Sequence, residues 1–196
     1  MGDSGWTSRL RKYLDARNEK PTYFFYPLGV HGETTDGLLK RFDTEFEARR
    51  RQDDTTYTFI FAYGANDASW RISEQKFKTD VATFEKNLTK VLAKAISFSP
   101  EVHLLEITPV NEEYSANLVT KNKSCLNEYV DEYNKKLHEI ANEQQVRVIA
   151  VNQKLRDQDP REVLVPDGLH PSALGHEIIF DSVKEALSPL LDRLEQ

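Results

Sequence analysis

The chain has 196 residues, 39% of them hydrophobic and 30% charged, with a net charge of −6 at pH 7. That is enough for one real core, and the acidic balance argues against nucleic acid as a partner, since phosphate binding needs a basic face. Cys125 is the only cysteine, which excludes an internal disulfide and a cysteine-based zinc cage.

A lone thiol fits a reducing compartment, so a cytoplasmic setting is expected. No apolar run reaches membrane-span length, and Met1 is followed by Gly-Asp-Ser-Gly-Trp rather than the apolar segment of a signal peptide. With no repeat and no low-complexity linker, a single domain over 1–196 is expected.

In chain order, residues 5–17 read as a helix with Trp6, Leu10, Tyr13 and Leu14 on one face. Thr22 to Tyr26 reads as a short strand closed by Pro27. Thr34 or Thr35 is placed to cap a helix running to about Arg50, with Leu38, Leu39 and Phe42 inward. Arg49-Arg50-Arg51 reads as its solvated end. Residues 56–62 form the clearest buried strand, ending at Tyr63-Gly64-Ala65-Asn66-Asp67. A helix is expected from about Glu74 to Ser97, a strand from Val102 to Ile107, and a polar loop from Thr108 to Lys121. A helix over 122–144, a strand from Val146 to Val151 and a loop from Asp157 to Pro166 follow. The last helix is expected from about Ser172 to Leu194. Alternating strands and helices imply a parallel sheet covered on both faces, whose ligands bind beyond the carboxyl ends of the strands.

Three loops carry chemistry. Asp167-Gly168-Leu169-His170-Pro171 sets a carboxylate three residues from an imidazole, just ahead of a helix, with Pro171 suited to the first helical turn. Such a pair supplies a base and the acid that fixes its tautomer; a loop Asp and a surface His is the plain alternative. Asn66 at a strand end has an amide that can donate to an oxyanion, or it serves only the turn. Gly32 lets a backbone N–H approach a ligand, or is again a turn residue. His31, His103 and His138 are expected at the surface, and His176 has no assigned role. Trp70 and the 108–121 loop either shape an acyl pocket or are an anchor and a surface loop.

Together these segments resemble the SGNH hydrolases, also called GDSL esterases and lipases, over nearly the whole chain. Leu28-Gly29-Val30-His31-Gly32-Glu33-Thr34-Thr35 resembles the family's second block, Gly64-Ala65-Asn66-Asp67 the third, and Asp167-Gly168-Leu169-His170-Pro171 the fifth. The resemblance implies a three-layer α/β/α sandwich with a flavodoxin-like parallel sheet. It implies Gly32 and Asn66 as oxyanion donors, Asp167 and His170 as acid and base, no metal, no cofactor, and a small-molecule ester substrate.

Gly2-Asp3-Ser4 spells the first block, which in the family ends a central strand and carries the nucleophile. Only Met1 precedes it here, too little for a strand. Either Ser4 is the nucleophile at the tip of a truncated strand, or the serine lies upstream; the second is preferred, because a residue near a free terminus frays. A serine esterase is the expected function. The alternative is a protein of the same fold that binds a ligand or partner without turnover. A phosphate-binding flavodoxin-like protein is disfavoured, because no Gly-x-Gly-x-x-Gly or Walker-type loop follows a strand.

Overall fold

The computed structural model describes residues 5–17, 22–51 and 55–194. Its central sheet has three parallel strands in the order β1 (Phe59–Phe61), β4 (Val102–Leu105), β5 (Arg147–Ile149). Phe59 pairs with Val102, and His103 with Arg147. A small antiparallel ladder, β2 (Trp70–Arg71) with β3 (Lys76–Phe77), stands apart from it. Consecutive side chains of a strand face opposite ways, and the two cores follow from that. Phe59, Phe61, Val102 and Leu104 pack against α2 (Thr35–Glu47), α3 (Val81–Phe98) and α5 (Asn127–Gln144). Ile60, Leu105 and Ile149 pack against α1 (Trp6–Asp15) and α8 (Ala173–Leu194). The result is the expected three-layer α/β/α arrangement, with the sheet burying apolar residues on both faces. Among the described residues no helix is long and apolar enough to cross a membrane.

Several expectations change in the structure. Residues 22–30 are extended but form no strand. Tyr23 and Phe25 lean on the second core while Phe24 and Tyr26 are exposed, so the two-residue alternation is real. Two guanidinium groups take carbonyls of this stretch, Arg11 that of Phe25 at 2.8 Å and Arg41 that of Leu28 at 2.6 Å.

The helix expected from Glu74 begins at Val81 instead, because Gln75 turns left-handed (φ 48°) to close the β2–β3 hairpin and Asp80 caps the Thr83 N–H. Phe77 has helical spacing, yet it serves the hairpin, edge-on to Trp70. The 108–121 loop contains α4 (Glu112–Ser115). Short helices α6 (Asn152–Arg156) and α7 (Pro160–Val163) lead into the turn before α8. Pro171 precedes α8 and bridges to Leu164; Ser172 makes the cap, its Oγ accepting the Gly175 N–H at 3.2 Å. His138 is half exposed, as expected, but His103 is 1% exposed. It stands on β4, where all four residues are buried, and burial lowers its pKa.

The core under the site can be tested at Phe84, fully buried where α3 meets the sheet. Phe84→Ala is expected to cost about 3–5 kcal/mol, read as a lower urea midpoint with an unchanged slope.

Candidate active site

The turn before α8 is closed by its own backbone. The Val165 N–H reaches the His170 carbonyl at 2.9 Å, and the Gly168 N–H reaches the Val165 carbonyl at 2.9 Å. Gly168 has φ +71°, and a side chain there would bring Cβ to 2.7 Å from the Asn111 carbonyl oxygen, so the position requires glycine. Asp167 does two jobs at once. Its Oδ1 accepts the N–H groups of Leu169 and His170 at 2.8 and 3.0 Å, and its Oδ2 lies 2.6 Å from His170 Nδ1. Burial works to raise the Asp167 pKa, but the bonds from the His170 side chain and the two N–H groups outweigh it and hold the carboxyl below its ordinary range. With the Nδ1 proton turned to the carboxylate, Nε2 carries the lone pair. The imidazole is 64% exposed, so Nε2 is open to a ligand.

Asparagine side chains hold the neighbouring loop. Asn134 accepts the Ile107 N–H at 2.8 Å and donates to its carbonyl at 3.0 Å. Asn127 treats Val110 the same way, at 3.1 and 2.9 Å. The Asn111 N–H then donates to the Gly168 carbonyl at 2.8 Å, joining this loop to the His170 turn.

Gly32 and Asn66 are laced together by a second set of bonds. Asp67 is fully buried, and its carboxylate accepts both the N–H of Thr35 at 3.0 Å and its hydroxyl at 2.6 Å. It thereby supports the start of α2 from another loop; Thr34, one of the two threonines expected as the cap, stands at the N-cap position but makes no side-chain bond to the helix. Burial pushes the Asp67 carboxyl up, against the bonds from Thr35. Lys78 Nζ donates to the Gly32 carbonyl at 2.6 Å, and its own N–H donates to Ser69, whose hydroxyl reaches the Asn66 carbonyl at 2.9 Å. Gly32 itself has φ +71° with open space on its Cβ side. Among the described residues the Asn66 carboxamide has no hydrogen-bond partner, and it is half-buried.

A third brace joins Glu33 to Arg41 through paired bonds of 2.9 and 2.8 Å, and the Tyr63 hydroxyl donates to the same carboxylate at 2.5 Å. Burial works to raise the Glu33 pKa, but the bonds from Arg41 and Tyr63 outweigh it and hold the carboxyl below its usual range. Burial first, then the bond to Glu33, pushes Tyr63 up to about 12.

Gly32 and Asn66 are thus linked indirectly, through Thr35–Asp67 and through Lys78–Ser69, and a chain of backbone contacts runs from Trp70 by way of Ser124, Cys125, Ser115 and Asn111 to the His170 turn. Ser115 and Cys125 exchange bonds, and Ser124 pairs with Trp70. A recess of about 110 Å³ lies behind the His170 turn, lined by Pro109, Val110, Leu155, Val163 and Leu164; Gly32, Asn66 and His170 do not line it. His31 is exposed, as expected. His176 is half-buried, lowered by burial and then by the charges of Arg9 and His170. Ser4 lies outside the described residues. Among those residues no cluster of three or more metal-ligating side chains occurs. Sequence reasoning missed Asp67, Lys78 and the Glu33–Arg41–Tyr63 brace; Asp67, Glu33 and Tyr63 lie inside the quoted segments, which is the one signal that could have found them.

Removing the Asp67 carboxylate strands the Thr35 N–H in the core. Asp67→Ala is expected to lower stability by about 1–3 kcal/mol, measured by urea unfolding. The Glu33 brace has a pH signature. Its folded pKa lies below the ordinary glutamate value, so its stabilisation is complete above that ordinary value and is lost as pH falls through the folded one. Glu33→Gln is expected to flatten this part of the acid-side fall in melting temperature.

The wider likeness follows this geometry. The GDSL-like lipase/acylhydrolase family model matches residues 1–178. Among solved structures, LAE5, an alpha/beta hydrolase enzyme from the metagenome of Lake Arreo, is 18% identical with a TM-score of 0.71, over 93% of this chain and 81% of that one. The acetylxylan esterase Axe2 from Geobacillus stearothermophilus is 18% identical with a TM-score of 0.71, over 94% and 81%. A lipase/acylhydrolase from Enterococcus faecalis is 22% identical with a TM-score of 0.65, over 81% and 72%. Among curated proteins no match is found. The structural likenesses share the fold, and the family match decides membership: the chain belongs to the GDSL-like lipase/acylhydrolase family, hydrolases acting on ester bonds.

Proposed function

We propose that the chain is a serine esterase whose acid and base are Asp167 and His170 and whose oxyanion donors are the Gly32 N–H and the Asn66 carboxamide. The observation that carries this reading is the 2.6 Å contact between His170 Nδ1 and Asp167, which leaves Nε2 uncommitted on an exposed side chain. In that state the imidazole accepts a proton at Nε2 from an attacking hydroxyl, and the carboxylate stabilises the imidazolium that forms. The serine oxygen adds to the acyl carbon, and the negative charge moves to the carbonyl oxygen. An unpartnered amide and an open glycine N–H answer that charge without displacing bonds already made. The imidazolium then protonates the leaving alcohol. Water, deprotonated by the same ring, releases the acyl group.

The nucleophile is a serine hydroxyl, either Ser4 or one on a strand that precedes it. The helix that follows, α1, is fixed to the start of α8: Arg9 donates to the Ala173 carbonyl at 3.1 Å and pairs with Glu177 at 3.4 Å. The substrate is a small ester, without nucleic acid or a membrane span. A buried single cysteine, Cys125, supports a reducing, cytoplasmic setting.

Hydrolysis of p-nitrophenyl acetate by the full-length protein, with any residues that precede Met1 included, tests the reading. His170→Ala is expected to reduce the rate to near background, and equal rates in the two proteins overturn the assignment. Asn66→Ala is expected to lower kcat by about 10²–10³ with little change in KM. A fluorophosphonate probe followed by peptide mapping identifies the serine; loss of labelling in Ser4→Ala assigns it to Ser4.

A further inference from the structure

The β2–β3 ladder has a third member. Trp70 and Ser124 exchange backbone bonds, both at 2.9 Å, as an antiparallel bridge. Arg71 faces Lys76 across the hairpin, and Lys123, which bridges to Leu118, comes just before Ser124. Directly opposed residues share a face, so Lys76 and Arg71 project together, and the charges of Arg71 and Lys123 both act on Lys78. The other face holds Trp70 and Phe77, which pack on Tyr129 with ring centroids 6.3 and 5.1 Å away. Lys76 and Arg71 therefore turn away from the core, while Lys123 reaches the Cys125 thiol. Lys78, two residues beyond Lys76 and paired with Ser69, lies on the same side, and its Nζ ends on the Gly32 carbonyl. The cationic face thus borders the Gly32 loop directly.

Like charges directly opposite one another destabilise a sheet, and Arg71 and Lys76 are such a pair. Lys76 is relieved by Glu74 at 3.1 Å. Arg71 and Lys123 have no carboxylate partner among the described residues, though both are half-buried. Burial, followed by the charges of Arg71 and Lys123, lowers the Lys78 pKa, while Asp67 acts in the opposite sense. In a chain of net charge −6, three cations gathered beside the glycine of the site make a local positive field where the molecule as a whole repels anions.

We propose that Arg71, Lys78 and Lys123 bind a negatively charged group of the ester substrate, a carboxylate or a phosphate. The proposal rests on the reading of Gly32 and Asn66 as the place where the ester sits. The guanidinium of Arg71 offers a two-pronged donor to such a group and Lys123 a point charge. Lys78 spends one donor on Gly32 and keeps two.

Binding tests this without turnover. In the His170→Ala protein at low ionic strength, calorimetric titration compares monomethyl succinate, which is anionic, with neutral dimethyl succinate. The anionic ester is expected to bind about tenfold more tightly, and Arg71→Gln/Lys123→Gln is expected to abolish the preference. That double variant separates like charges, so its unliganded melting temperature is expected to hold or rise. Equal affinities for the two esters, or a preference that survives the double substitution, overturn the proposal. Inorganic phosphate as competitor identifies the group: displacement of monomethyl succinate assigns phosphate as well as carboxylate, and no displacement assigns carboxylate. If the preference is present but wild type and His170→Ala hydrolyse p-nitrophenyl acetate equally, the anion site stands and the esterase reading falls.

Discussion

The Asp67 carboxylate, fully buried and holding the N–H and hydroxyl of Thr35, is the bond on which the rest of this cleft depends. It joins the turn after β1 to the first residue of α2. Gly32 comes just before that helix and Asn66 just before the aspartate, so one side chain sets the spacing of both loops. A carboxylate at a helix N-terminus is favoured by the helix dipole and by N–H groups that have no partner within the helix. Burial opposes it, and that opposition is the cost of fixing two loops from one interior point. Lys78 and the Glu33–Arg41–Tyr63 brace then hold the same loop from its other sides.

The opposite wall is assembled differently. Asn134, Asn127 and Asn152 hold backbone groups at the carboxyl end of β4 and beyond. Glu106 ties that end to β5 by accepting the N–H groups of Val151 and Asn152, both at 2.8 Å. These are side chains satisfying irregular backbone, which a loop leaving a sheet edge must have if it is to be buried. Asn111, carried on that loop, then reaches Gly168 and so the turn that bears His170.

Much of this was legible in the sequence where the signal is local. Asp167 and His170 are three residues apart, so one turn suffices to bring them together, and the hydrophobic period of α8 placed its end within a residue. Segments whose structure depends on distant partners were not legible. Thr22 to Tyr26 has a strand's composition, but a strand exists only when a neighbour pairs with it. Phe77 fits a helical period yet belongs to a hairpin, because the period cannot register Gln75 turning left-handed. Thr34 or Thr35 was expected to cap α2; Thr34 takes the N-cap position, but the side-chain bond to the helix start comes from Asp67, 32 residues away. His103 was expected outside because histidine is polar; its neighbours on β4 are apolar and sheet burial takes it inward.

The two walls differ in what acid can reach. Around Gly32 the fastening is ionic, through Glu33, Arg41 and Asp67. Behind His170 the loop hangs on neutral carboxamides that take up no proton across the ordinary pH range, while carboxylates act only at its two ends, Glu106 at the root and Asp167 in the turn beyond. Acid therefore finds a fastening to loosen on both sides, and only the middle of that loop is indifferent to it, like a strap pinned at its ends and stitched between.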